Sequence, residues 1–237
     1  MRQRLLDSLL LSATVDTVEG LAPRWRRIVL AADAFGGVAW QPGQHVRVQV
    51  GDHGNPLDWV IGNLRTYTVS EIDGASLSLA VFDHGDGPGA QWARTVQPGD
   101  PVKLTKPEGR FVLRPSPYYV FAGEETASVG FGALSKAVAA ESKLFGIVEV
   151  DTEAERLPLI TNSLTWTYRH GRPAASSSTL VDELRQLTLP DAPGLAYFAG
   201  EARTVQMLRA HFVIERGWPR QNVLTKPYWT PGRTGLD

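Results

Sequence analysis

The sequence predicts a small antiparallel β-barrel followed by a small α/β domain with a parallel sheet. Three observations carry that reading. Up to about Pro115, apolar residues recur with period two in short runs separated by turn residues. From Tyr118 onward, compact apolar strands alternate with segments of helical period. Between the two stands Pro115-Ser116-Pro117, which stops a strand and favours an extended connection. The expected domains are 1–115 and 118–237.

In the first part, Trp25 to Ala31 is apolar and β-branched enough for a strand, and Val46, Val48 and Val50 alternate with Arg47 and Gln49. Leu77, Leu79 and Val81 repeat the alternation after the turn Ile72-Asp73-Gly74. Val102 and Leu104 do so again after Gln97-Pro98-Gly99-Asp100. Several short strands at this spacing predict a barrel. In the second part the reading is a strand over Tyr118 to Ala122 and a helix over Thr126 to Ser142 despite Gly130 and Gly132. Strands follow over Gly146 to Val150 and Leu164 to Tyr168, then a helix from Ser178 to Leu187 and a strand from Leu195 to Ala199. A last helix runs from Ala202 to Arg216, with Val205, Leu208 and Phe212 on one apolar face. Such an alternation implies a parallel sheet covered on both sides.

Composition excludes several functions. Twenty-four basic and 25 acidic residues give a formal charge of −1, so no global field draws the chain to nucleic acid or an anionic membrane. With no cysteine there is no disulfide, thiolate metal site or cysteine nucleophile, and redox chemistry would come from a bound organic cofactor. The five histidines, at 45, 53, 84, 170 and 211, have no spacing that converges on a metal. No Ser/His/Asp motif supports a hydrolase. Leu5, Leu6, Leu9, Leu10 and Leu11 behind Arg2 and Arg4 are interrupted by Asp7 and Ser8, and are read as part of the first domain rather than a signal peptide. No run approaches the ~18 apolar residues of a membrane span, and a cytoplasmic location is expected.

Two stretches carry chemistry. In Leu64-Arg65-Thr66-Tyr67-Thr68-Val69 the strand period puts Arg65 and Tyr67 on one face and Thr66 and Thr68 on the other. An arginine fork binds phosphate, a tyrosine packs on a flat ring and a threonine offers a short donor and acceptor. About twenty residues later comes Asp83-His84-Gly85-Asp86-Gly87-Pro88-Gly89-Ala90-Gln91-Trp92, where glycines let backbone N–H groups approach an anion. Each stretch alone also reads as an ordinary barrel strand or turn. Together, and followed by Gly123-Glu124-Glu125-Thr126-Ala127, they point to a dinucleotide cofactor.

The order of motifs resembles that of the siderophore-interacting proteins, FAD-dependent ferric-siderophore reductases of the ferredoxin reductase superfamily. That family carries Arg-x-Tyr-Thr, His-Gly-x-x-Gly-Pro-Ala-Ser-x-Trp-Ala, Gly-Asp-Glu-Thr-Ala, Ala-Gly-Glu and Tyr-Trp-x-x-Gly. Here these are Arg65 to Thr68, His84 to Ala93, Gly123 to Ala127, Ala199-Gly200-Glu201 and Tyr228 to Gly232. The resemblance implies that domain 1–115 binds FAD and that 118–237 is NAD(P)H-binding-like. It implies that Arg65 pairs with a flavin phosphate, Tyr67 packs on the isoalloxazine and Thr68 bonds its edge. His84, Gly85, Gly87, Pro88, Gly89 and Ala90 would face the pyrophosphate, Trp92 would brace that loop or the adenine, and Thr126 would cap its helix and face the flavin. It further implies electron transfer from NAD(P)H or a donor protein, through FAD, to a ferric siderophore. A nicotinamide nucleotide would dock where Gly123 to Thr126 and Gly200 to Thr204 meet the sheet. Lys103, Lys106, Arg110, Lys226 and Arg233 are candidates to receive an anionic chelate, with Lys226 and Arg233 preferred.

Four positions depart from the family pattern. Ser70 replaces an arginine, the phosphate loop is one residue short, Ala90 replaces a serine, and Ser128-Val129 replaces Leu-Pro. A hydroxyl missing at position 90 removes a bond to charged phosphate worth about 1.5–3 kcal/mol. These departures leave two other readings open: the same scaffold as a biosynthetic flavoenzyme or reductase with another substrate, or a flavin-free binding protein.

Overall fold

The computed structural model describes residues 10–51, 64–158 and 163–233. The leucines at 5, 6 and 9 and His53 lie outside the described residues. The chain divides into two compact units, Met1–Val112 and Leu113–Asp237.

The first unit is a closed antiparallel barrel with strand order β1-β2-β5-β4-β3-β6. Its strands are β1 (Leu11–Ala22), β2 (Trp25–Ala31), β3 (His45–Gln49), β4 (Leu64–Asp73), β5 (Ser76–Phe82) and β6 (Pro101–Leu104). Val15, Ile28, Leu30, Val46, Val48, Leu77, Leu79 and Leu104 are essentially inaccessible and fill the interior. Closure leaves no exposed edge, which explains why period-two strands of this length suffice. A helix, α1 (Pro88–Thr95), follows β5 and buries Ala90 and Ala93.

The second unit is a five-stranded parallel sheet of order β11-β10-β7-β8-β9. These strands are β7 (Tyr118–Glu124), β8 (Lys143–Val150), β9 (Thr165–Tyr168), β10 (Leu195–Glu201) and β11 (Val223–Trp229). Alternate residues of the buried strand β7 face opposite sides. Tyr118, Val120 and Ala122 pack with α3 (Ser178–Arg185) and α4 (Ala202–Ala210). Phe121 stacks on Phe131 of α2 (Ser128–Lys136), 5.2 Å between centroids. Both faces are covered, as an unbroken apolar strand requires.

Three expectations need correction. The helix expected over 126–142 spans only Ser128–Lys136; Glu125–Ala127 is a 3₁₀ turn because the Glu124 carboxylate accepts the Thr126 N–H. The Ser142 hydroxyl then donates to the Ser116 carbonyl at 2.9 Å, and β8 begins at the next residue, Lys143. The helix expected to 216 is α-helical only to Ala210 and ends in a π turn, His211–Glu215. Strand β11 was not foreseen, because Pro227 breaks its pattern; an edge position tolerates the missing donor.

Candidate functional site

The strand period puts Arg65 and Tyr67 of β4 on the face that meets the start of α1. A Cβ at Gly89 would stand 2.7 Å from Tyr67 Oη and 3.5 Å from Arg65 Cγ, so only glycine lets the helix start lie this close. Thr66 is exposed and Thr68 pairs with His45 of β3. Tyr67 and Trp92 rings lie 5.6 Å apart, and both pack against the barrel core. Burial raises the Tyr67 phenol pKa and Arg65 opposes this only partly, so the hydroxyl keeps its proton.

Helix α1 begins without a side-chain cap: its N-cap is Gly87, and Pro88 has no N–H. The first helical bond runs from the Gln91 N–H to the Gly87 carbonyl, so the N–H groups of Gly89 and Ala90 have no carbonyl behind them in the helix. A helix start of this kind attracts anions. A Cβ at Gly87 would meet nothing within 4 Å, so the approach is open.

Arg94, which the sequence reading did not single out, holds the preceding loop. It donates to the Gly85 carbonyl at 2.8 Å and pairs with Asp83 at 2.6 Å and Asp86 at 3.5 Å. Gln91 adds a bond to the Asp86 carbonyl. The signal available in the sequence was an arginine two turns into a helix whose leading loop carries two aspartates. His84 stands 5.4 Å from the Phe82 ring, over which the Arg24 guanidinium lies at 4.8 Å.

Arg65, Tyr67, Thr68, His84, Gly85, Gly87, Pro88, Gly89, Ala90 and Trp92 all belong to the barrel unit, where β4, the loop and α1 meet. Ala90 is 6% exposed, and its methyl offers no hydroxyl at the helix start. Ser70 Oγ is buried on β4 with no hydrogen-bond partner among the described residues. A bare helix start, an open glycine and an adjacent arginine beside an aromatic ring fit the phosphate-bearing portion of a flavin dinucleotide.

Thr126, Lys226 and Arg233 stand in the second unit, whereas Lys103, Lys106 and Arg110 belong to the barrel unit. Thr126 does not cap α2: its N–H and hydroxyl both donate to Glu124, because that buried carboxyl reaches back over the turn. Lys226 lies on β11 with Nζ 5.6 Å from the Tyr228 ring centre, and Arg233 is exposed beyond the strand. The carboxyl edge of this sheet carries four buried glutamates: Glu124, Glu125 and Glu201 belong to motifs the sequence displays but received no separate role there, and Glu149 had no signal in the sequence. Glu125 is bound by both terminal nitrogens of Arg169, and Glu149 accepts the Ser177 hydroxyl at 2.5 Å. Glu124 also accepts Trp229 Nε1 at 2.9 Å, and Glu201 caps α4. Burial, and secondly the Glu125 charge, push the Glu124 carboxyl up to about 7. Among the described residues no group of His, Asp or Glu is arranged to hold a metal ion, and no helix is long and apolar enough to cross a membrane.

Residues 14–111 match the siderophore-interacting FAD-binding domain, and residues 116–232 match the siderophore-interacting protein domain. The chain belongs to the siderophore-interacting protein family. Two solved structures of similar proteins share its fold. The siderophore utilization protein from T. fusca superposes with a TM-score of 0.80 at 24% identity, covering 97% of this chain and 96% of that one. The siderophore-interacting protein SipS from Aeromonas hydrophila does so with 0.82 at 24% identity, covering 95% and 93%. A curated relative of this family member, the mycobactin import ATP-binding/permease protein IrtA of Mycolicibacterium thermoresistibile, is 27% identical over 234 residues, 93% of this chain and 25% of that protein. The chain thus spans about a quarter of the length of the curated relatives it matches. Family membership supports a flavin-dependent oxidoreductase.

Proposed function

We propose that this protein is a flavin-dependent reductase that passes electrons from NAD(P)H or a donor protein through FAD to a ferric siderophore, releasing ferrous iron in the cytoplasm. The observation that carries the reading is the uncapped start of α1 lying against Arg65 and Tyr67 within the part of the chain that matches an FAD-binding domain. FAD, when bound, supplies the electron carrier. The work of the chain is to hold it. Arg65 neutralises phosphate charge, the Gly89 and Ala90 N–H groups donate to it, and the loop that leads into α1 is fixed by Arg94. Tyr67, neutral and packed on Trp92, offers a ring face and a hydroxyl with Thr68 beside it. Lys226 and Arg233 are the side chains proposed to receive an anionic chelate. No acid or base is required of the protein for outer-sphere transfer, and ferrous iron binds a hard-oxygen chelator more weakly than ferric iron does.

Titration of FAD against the purified protein, followed by quenching of flavin fluorescence, tests the reading. Arg65→Ala is expected to weaken binding ten- to hundredfold, about 1.5–3 kcal/mol for a charge-assisted contact. Equal affinity in the native protein and the variant would count against it. The buried methyl of Ala90 favours a second reading, in which the same scaffold serves another substrate as a reductase or biosynthetic enzyme, or binds a ligand without flavin. A chain that takes up no FAD, yet binds a ferric siderophore, identifies the last of these.

A further inference from the structure

The strand order of the parallel sheet reverses between β7 and β10. At such a switch point an open α/β sheet seats its dinucleotide in the crevice beyond the strand ends, with pyrophosphate on a helix start and a glycine that lets it come close. In this chain the crevice is filled from within. The Glu201 carboxylate, 1% exposed, accepts the N–H groups of Arg203 at 3.0 Å, Thr204 at 2.9 Å and Ser176 at 3.2 Å, and the Thr204 hydroxyl at 3.1 Å. That is a complete anion site, and its anion is a side chain of the protein. Burial works against the charge on Glu201, but the backbone donors outweigh it and hold the carboxyl below its ordinary range.

The glycines at this edge are equally engaged. A Cβ at Gly200 would stand 2.6 Å from Glu124 Oε1, and one at Gly123 would stand 2.2 Å from the Ala199 carbonyl oxygen and 2.7 Å from Ala127 Cβ. The missing side chains make room for Glu124 and for the neighbouring strand. Glu124, Glu125, Glu149 and Glu201 all lie buried here, with Arg169 the buried cation among them.

We infer that the carboxyl edge of this sheet is not a nicotinamide-dinucleotide site: Glu201 at the start of α4 and Glu124 over Gly200 hold the positions that a pyrophosphate would need. Given the flavin-reductase reading, the electron donor is then a redox protein rather than NADH or NADPH.

The test is to titrate NADH, NADPH and inorganic pyrophosphate into the FAD-supplemented full chain, following heat and the Arg203 and Thr204 amide resonances. Concentrations run to about 5 mM, several times the upper end of ordinary KM values. No saturable heat and no shift at those amides is the expected result. Saturable binding that moves them overturns the inference. Saturable nucleotide binding that leaves them unmoved keeps the edge closed and overturns the choice of donor. Glu201→Ser, which keeps an N-cap oxygen and clears the carboxylate, is expected to bind pyrophosphate saturably below about 0.5 mM, at least about tenfold under the limit to which the native chain shows no binding. Glu201→Gln, which keeps the shape, should move the same way by a smaller factor. Equal affinity in all three proteins overturns the inference. The flavin spectrum of the same samples reports on the flavin reading independently.

Discussion

Trp229 donates its indole Nε1 to Glu124 Oε1 at 2.9 Å, tying the end of β11 to the end of β7 across Gly200 of the strand between them. Only a residue without a side chain leaves room beneath that bond, and Gly200 also sits at φ 121°, outside the range that other residues favour. Gly200→Ala is therefore expected to destabilise the protein by about 1–3 kcal/mol through overpacking alone. Urea unfolding followed by tryptophan fluorescence measures it, and an unchanged midpoint would be the contrary result.

The same carboxyl makes stability depend on pH. Burial, reinforced by Glu125, raises Glu124 to about 7, whereas a glutamate in an unfolded chain ionises at about 4.3. Between those values the folded protein keeps a proton that the unfolded chain has lost. The contribution of Glu124 is thus complete below the lower value, falls as pH rises towards 7 and is constant above it. Glu124→Gln leaves an oxygen for Thr126 and Trp229 but cannot ionise. The urea midpoint of the native protein should fall from pH 5 to pH 8 more steeply than that of the variant, and parallel curves would refute the assignment.

At the barrel site two glycines should respond differently. Gly89→Ala drives a methyl into Tyr67 Oη, so it is expected to cost about 1–3 kcal/mol of stability, and Tyr67→Phe should restore much of that loss by removing the oxygen. Gly87→Ala meets no neighbour and should leave thermal stability unchanged, yet weaken FAD binding, because its methyl stands in the open approach to the helix start. Paired melting curves and FAD titrations distinguish the two effects.

Arg94→Met removes the contacts to Gly85, Asp83 and Asp86 while keeping the apolar stem. A looser loop lowers FAD affinity by about tenfold, roughly one charge-assisted hydrogen bond, with little change in stability because the arginine is 39% exposed. Arg94→Lys should not rescue it, since an ammonium lacks the fork that reaches three partners.

Arg169 and Glu125 form the most deeply buried ion pair among the described residues of the second unit, at 8% and 4% side-chain exposure. Removing one partner strands the other charge, so Arg169→Met is expected to cost about 3–5 kcal/mol, read as a shift in the urea midpoint.

Much of this architecture was legible from periodicity. The alternation of Val46 and Val48, and of Leu77 and Leu79, gave the barrel; the change of period at Pro115 gave the second fold type. The spacing of Arg65 and Tyr67 gave their shared face. What was not legible depends on contacts between residues far apart in sequence. Arg94 matters because the chain folds back on Asp83 and Asp86, and Glu124 because β11, disguised by Pro227, brings Trp229 to it. The stretch Gly200 to Thr204 showed only where a helix start meets the sheet, not that Glu201 caps that start with its own carboxylate.

The most direct test of the central claim is the visible absorption spectrum of the purified, FAD-supplemented protein under anaerobic conditions. It is recorded as isolated, after reduction with dithionite, and after addition of a ferric siderophore with a ferrous-iron chelator present. The account predicts flavin bands that bleach on reduction and return when the ferric chelate is added, with ferrous iron appearing in step. A protein that takes up no FAD, or a reduced flavin that stays bleached in the presence of the ferric siderophore, would contradict it.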